Sequence, residues 1–370
     1  MEKIQTFAED CAELLGERLA RGGVDRRGFL MACAALGLSP LTFGVKSASA
    51  QTKEIVLCNA GGDMASAMQR AFAEPFMKKY ANFKVVVDGS NPLSAKIKAM
   101  VEAKRVVWDV CDRNLPASLE LGQQGLLEEI DYAIVDRAKI RPEHAGKWGA
   151  GSYIFSNVLA YQSDAFGGRK PMTWKDFWNV KDFPGKRALR KHIDSNLESA
   201  LLADGVPRDK LYPIDVKRAL DKIKEIKPNC VFWSSGAESQ QLLRDREVVM
   251  ANVWNTRASV LRRETNQRVD FHYNEACVWV AAWIVPKGNP AGKDAFRLIA
   301  SMQDPEPQVE LFKLAGNGPV NPAAAALVPA ELKIIDPGSP ENYRLQVPVN
   351  PQWYADNSAT VLQQYLEAVS

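Results

Sequence analysis

The sequence predicts an α/β protein built as two lobes that face each other across a ligand cleft. Three observations lead there. Beyond residue 50, short apolar runs alternate with amphipathic stretches, and glycine-rich or polar turns close the runs. Two extended crossings, the strand-like Ile154–Tyr161 and the long apolar run Val278–Val285, join two such alternating regions. The length of 370 residues exceeds one ordinary domain, since domains average roughly 100–200 residues.

The first 50 residues read as an address. Gly28 to Val45 carries no charge, Asp25-Arg26-Arg27 stands before it, and Lys46-Ser47-Ala48-Ser49-Ala50 follows with small residues at 48 and 50. A charged start, an apolar middle and a small-residue cleavage site describe an export signal. The paired arginines before Gly28-Phe29-Leu30 resemble a twin-arginine (Tat) signal, although Asp25 stands where that pattern has Ser or Thr. The expected destination is the periplasm. Cys11 and Cys33 leave with this segment, while Cys58, Cys111, Cys230 and Cys277 remain, each beside an apolar run. Disulfides and buried free thiols both fit such positions.

Lys53–Asn59 predicts a buried strand running into the turn Ala60-Gly61-Gly62-Asp63, and Asp63 is placed to cap the helix that carries Met64, Met68, Phe72 and Phe76. Phe83–Val87 predicts a second strand, Ser94–Ala103 a helix and Val106–Cys111 a third strand. This order implies parallel strands with right-handed crossovers, and ligands of such sheets bind outside the carboxyl ends of the strands. Those ends are Asn59–Asp63, Gly89–Pro92 and Asp112–Asn114. The second region predicts helices at Asp194–Ala203 and Pro213–Ile226 and a strand at Cys230–Trp233 ending in Ser234-Ser235-Gly236. A helix at Ala237–Asp245, a strand at Val248–Trp254 and a helix at Asn255–Glu264 follow, and helices return at Ala291–Met302 and Glu306–Lys313. The expected division is residues 1–50 for export, 51–155 with about 283–340 for lobe 1, and about 156–282 for lobe 2. About 341–370 would pack across the lobes.

Composition narrows the function. Charged residues are 25% and apolar residues 46% of the chain, and Lys+Arg 47 against Asp+Glu 44 leaves +3 with no long block of one sign. Nothing there tracks a phosphate backbone, so no nucleic-acid partner is expected. His144, His192 and His272 are scattered, and no Gly-x-Ser-x-Gly, His-Glu-x-x-His, Cys-x-x-Cys or Walker-type loop occurs. No catalytic residue, metal or cofactor is expected.

Several stretches together carry a resemblance: Asn59-Ala60-Gly61-Gly62 after the first strand, Ser156–Tyr161 at the first crossing, Val253-Trp254-Asn255, Val278-Trp279 with Ala282–Pro286, and Pro319-Val320-Asn321. They resemble the type II periplasmic solute-binding proteins of ABC importers, in the spermidine/putrescine-binding branch. The resemblance implies two hinged lobes that close over a ligand and present it to a permease in the inner membrane; the expected protein is a monomer. It places the family's clamping tryptophans on Trp254 and Trp279, its hydroxyl on Ser234, and its polar residue after strand three on Asn114, with Asp112 close by. The acids that hold the amines fall near His192 and Ser195, and the carboxylate after the second tryptophan falls on Ala281.

The residues also carry their own physics. Trp254, Trp279 and Trp353 can line an amine pocket through their ring faces, with Asp63 or Asp112 as countercharge. Core packing is the competing role for the tryptophans, and helix capping for Asp63. Gly61 and Gly62 before a helix expose backbone N–H groups that favour a carboxylate. The expected ligand is thus a small amine-bearing, polyamine-like solute. An ω-amino acid or betaine zwitterion is the alternative, and an exported enzyme a further one.

Overall fold

The structure is a computed structural model that describes residues 52–370. The expected export signal, with Cys11 and Cys33, lies outside the described residues. Ten strands form one sheet with the order β2-β1-β3-β8-β4-β7-β5-β6; β10 (Val347–Pro348) joins β8, and β9 (Gly318–Pro319) joins β4. Strands β1 (Lys53–Cys58), β2 (Phe83–Asp88) and β3 (Val110–Asn114) are mutually parallel about β1. At the other end β5 (Arg187–Arg190), β6 (Cys230–Trp233) and β7 (Met250–Trp254) are parallel about β5.

The two crossings are the long strands β4 (Ala150–Gln162) and β8 (Val269–Ile284), which run antiparallel to one another through the middle of the sheet. The end of β8 pairs with β3 and the end of β4 pairs with β7, so each long strand passes from one parallel set to the other. β4 is buried except at Phe155, and β8 is buried from Ala276 to Ile284, which explains the apolar run that begins at Val278.

Helices cover both faces. α1 (Asp63–Met68) continues through a wider π-type turn (Gln69–Ala73) into α2 (Glu74–Lys79), and Pro75, which has no N–H to return, sits just after that turn. α3 (Ser94–Glu102) follows β2, and α4 (Leu115–Gln123) starts directly after β3 with the Asn114 side chain accepting from Ala117 N–H at 2.9 Å. In the second set, α5 (Trp174–Trp178) opens with a capping box between Thr173 and Asp176. Then come α6 (Asn196–Ala203), α7 (Val216–Ile226), α8 (Gly236–Arg244) and α9 (Asn255–Glu264). α10 (Asp294–Met302) and α11 (Pro305–Ala315) pack on the first set, where Leu298, Ile299 and Leu311 share a buried cluster with Ile55, Phe72 and Val110. After the short α12 (Pro340–Tyr343), α13 (Pro351–Val369) closes the chain, packed against both α4 and α7.

Several expectations move: the helix expected from Asp194 begins at Asn196, the helix expected from Pro213 at Val216 and the strand expected from Val248 at Met250. The third strand begins at Val110, not Val106, because Asp109 turns its carboxylate to the backbone N–H groups of Val56 and Ala291, each at 2.7 Å, and Trp108 donates to Asp88. Val107 is left exposed. The helix of α1 is capped by Gly62, and Asp63 is an exposed first-turn residue that makes no capping hydrogen bond. The four described cysteines are free thiols, three of them buried. Among the described residues no helix is long and apolar enough to cross a membrane.

Candidate functional site

Three turns at the carboxyl ends of β1, β2 and β3 form the first side of the site. Gly61 has φ +79°, and a Cβ there would meet the Gly89 carbonyl oxygen at 2.7 Å, so this close approach of two turns requires glycine. Asn59 accepts from Gly61 N–H at 2.7 Å and fixes the turn. At the end of β3, Tyr153 donates its hydroxyl to Asp112 at 2.8 Å, while the other Asp112 oxygen is buried without a partner. Burial pushes the Asp112 carboxyl up to about 7, against the pull of Tyr153 and Arg113. Arg113, half-buried, holds the opposite face of the strand: one guanidinium nitrogen reaches Ser94 Oγ at 3.4 Å, and its Nε is buried without a partner.

The second side is the Arg190–Ser195 loop between β5 and α6, together with the ends of β6 and β7. Arg190 bonds Asp194 at 2.5 Å, and His192 Nδ1 lies 3.0 Å from the other Asp194 oxygen. The Arg190 guanidinium also lies 4.9 Å from the Trp254 ring and 5.7 Å from that of Trp233, whose edge meets Trp254 at 5.4 Å. Burial opposes the charge on Asp194, but His192, Arg190 and Arg113 outweigh it and hold the carboxyl below its ordinary range. Burial weakens the charge of Arg113, and the neighbouring Asp112 opposes this most among the charged groups, with Asp194 adding a smaller share.

The residues named from sequence separate into groups. Trp254 stands half-buried at the end of β7 beside Arg190, and Ser234 is exposed at the end of β6, its N–H given to Glu238 at 2.7 Å. Asn114 uses its side chain to cap α4. Trp279 is core: it stacks on Phe155 at 6.3 Å, meets Tyr354 edge-on at 4.7 Å and donates to Ser195 Oγ at 2.8 Å. Ser195 is fully buried. Trp353 packs between Tyr212 and Tyr354 in the first turn of α13, away from the Trp233–Trp254 pair. Asp63 is exposed, and Gly61 and Gly62 form the turn before α1.

Three charged groups escaped the sequence reading: Arg113, Arg190 and Asp194. The resemblance had marked His192 and Ser195 as neighbours of the amine-holding acids, and the carboxylate stands between them at Asp194. Arg113 lay unremarked between Asp112 and Asn114 at the strand end. Among the described residues no cluster of three or more His, Cys, Asp or Glu side chains is placed to hold a metal ion.

A sheet crossed by two shared strands, with opposed charges and an indole gathered at the strand ends, has the layout of a solute-binding protein. The chain belongs to the bacterial extracellular solute-binding protein family, whose model matches residues 71–335. A curated relative, the gamma-aminobutyric acid-binding protein of Pseudomonas aeruginosa, is 33% identical over 342 residues, covering 89% of this chain and 94% of its own. Among solved structures, a GABA receptor superposes with a TM-score of 0.81 at 31% identity, covering 86% of this chain and 98% of its own. An ABC transporter substrate-binding protein from Bradyrhizobium japonicum gives 0.81 at 34% identity, with 86% and 100% covered. A spermidine/putrescine-binding protein from Streptococcus pneumoniae, at 16% identity and a TM-score of 0.69, shares the fold. The chain is thus the substrate-binding component of an ABC transporter, of a family of extracellular solute-binding proteins.

Proposed function

We propose that the chain captures a small ω-amino acid of the γ-aminobutyrate type as its zwitterion and hands it to the inner-membrane permease. The observation that carries this reading is the Arg190–Asp194–His192 charge cluster beside the Trp254 indole, together with Arg113 at the end of β3, whose buried Nε has no partner. Arg113 and Arg190 offer a fork to the ligand carboxylate, and Asp194 with the Trp254 face receives the ammonium. The names of the two GABA-binding relatives support it.

A diamine fits less well. It needs an acid at each end, whereas this site adds two guanidiniums, and Ala281 occupies the position of the second family carboxylate. A betaine needs several aromatic faces around its cation, and Trp279 and Trp353 are engaged in packing. In this reading the Tat-like segment at residues 1–50 delivers the protein to the periplasm, where it acts as a monomer.

Arg113→Met tests the reading. Removing a charged hydrogen-bond partner costs about 1.5–3 kcal/mol, or roughly 10- to 150-fold in affinity. γ-Aminobutyrate affinity should fall by that factor; an unchanged affinity would reject the assignment.

A further inference from the structure

Behind the ligand-facing loop lies a carboxylate that the proposed ligand does not touch. Glu198, in the first turn of α6, is fully buried. Tyr212 donates to its Oε1 at 2.6 Å, and Tyr354 donates to Oε1 at 2.8 Å and Oε2 at 3.0 Å. The Tyr354 oxygen also faces the backbone N–H of Ser195 at 3.4 Å. Ser195 has φ +63°, a left-handed conformation that few non-glycine residues adopt, and it immediately follows Asp194. Such a backbone persists where its surroundings over-determine it. Here the surroundings are Tyr354, the Trp279 indole on Ser195 Oγ at 2.8 Å, and Asn252, which donates to the Ser195 carbonyl at 3.5 Å.

About three turns further along α13, Tyr365 donates to the Arg190 carbonyl at 2.7 Å and accepts from Asn196 at 2.9 Å. One helix thus grips both ends of the Arg190–Ser195 loop. The same helix packs on α4, which starts just after Arg113 and Asn114.

We propose that α13 is a positioning element of the binding site, in which the Glu198 carboxylate orients Tyr354, Tyr354 holds Ser195 in its left-handed conformation, and Ser195 aims Asp194 at the ligand. This deepens the reading of Asp194 as the ammonium partner and rests on it. The carboxylate form matters because two O–H donors converge on it. A glutamine offers one acceptor oxygen and an NH2 that would face a hydroxyl hydrogen.

The groups facing Glu198 are Tyr212 from the segment before α7, Tyr354 from α13, Asp194 from the loop before α6, and Cys277 from β8, beside which stand Glu275 and Arg208. Burial raises the Glu198 carboxyl to about 7; the tyrosine hydroxyls oppose that shift and the Asp194 charge adds to it. An ammonium docked on Asp194 offsets that charge. Ionisation of Glu198 and amine binding therefore favour one another, and affinity should rise from pH 6 to pH 8.

The test uses the purified protein, E198Q, Y354F and, because His192 also touches Asp194, H192Q. The ligand-free readout is hydrogen exchange of the backbone amides of residues 191–197. It should quicken at least tenfold in E198Q and Y354F while β1 amides stay unchanged; protection equal to wild type in both variants would overturn the proposal. If E198Q does not fold, Y354F decides. The second readout is γ-aminobutyrate affinity at pH 6 and pH 8. Wild type and H192Q should tighten severalfold and E198Q should not, and an E198Q that keeps the wild-type pH profile would overturn the proposal. If the wild-type protein fails to bind γ-aminobutyrate, the proposed function falls and the exchange experiment alone decides the role of α13.

Discussion

Replacing Asp194 by Asn separates the two ends of the proposed ligand. The substitution preserves shape but removes the one anion that Arg113, Arg190 and His192 share. An ammonium loses a charge-assisted hydrogen bond of about 1.5–3 kcal/mol and faces uncompensated guanidiniums. A total of roughly 3–4 kcal/mol follows, as for one partner removed from a partly buried ionic cluster, or about 150- to 1000-fold in affinity. The carboxylate end should respond in the opposite sense, because the site becomes more positive. Calorimetric titration of D194N with γ-aminobutyrate and with butyrate, which lacks the amine, reads both ends. The reasoning predicts a collapse for γ-aminobutyrate and unchanged or stronger binding for butyrate. γ-Aminobutyrate affinity within threefold of wild type, or a parallel loss for butyrate, would refute it.

Other predictions follow from the packing. Trp279→Phe removes the hydrogen bond to Ser195 and part of the stack on Phe155; it should cost about 2–4 kcal/mol of stability in denaturant unfolding and weaken ligand binding through the loop. Asp112 has its folded pKa raised to about 7 from 3.8, so the native state holds the proton more tightly and stability falls as pH rises between these values. Asp112→Asn should therefore leave stability nearly unchanged at pH 4 and raise it at pH 8, by about 2 kcal/mol once partial exposure is allowed for, as read by denaturant unfolding at the two pH values. Gly61→Ala meets both a positive φ and the Gly89 carbonyl; a loss of about 1–3 kcal/mol is expected in thermal unfolding.

The strands that position the site were legible because burial on both faces leaves an apolar run, as in Ile55–Cys58 and Val278–Ile284. Asn255–Glu264 was readable as a helix to the residue. β5 was not, since Arg187–Arg190 is four residues with an arginine at each end. Arg187 is nonetheless fully buried, its guanidinium taken up by the carbonyls of Phe177, Asn179, Gly185 and Phe183. α13 went unread although its buried positions, Tyr354, Val361, Tyr365 and Val369, lie seven, four and four residues apart, which is a helical period. The tryptophans were conspicuous by type, but only the folded chain separates Trp254, beside the charges, from Trp279 and Trp353, which hold the core together. The ionic partners were invisible for a different reason. Arg113, Arg190 and Asp194 belong to short polar segments without periodicity, and each acquires its role from a residue distant in sequence.

The central claim is that this site recognises opposite charges at the two ends of one small molecule. Titrating the wild-type protein in parallel with γ-aminobutyrate, putrescine and butyrate tests it most directly, because the three share a four-carbon chain and differ only in their end groups. The account predicts saturable one-to-one binding of γ-aminobutyrate at least a hundredfold tighter than either of the others. Putrescine binding as tightly as γ-aminobutyrate would contradict it.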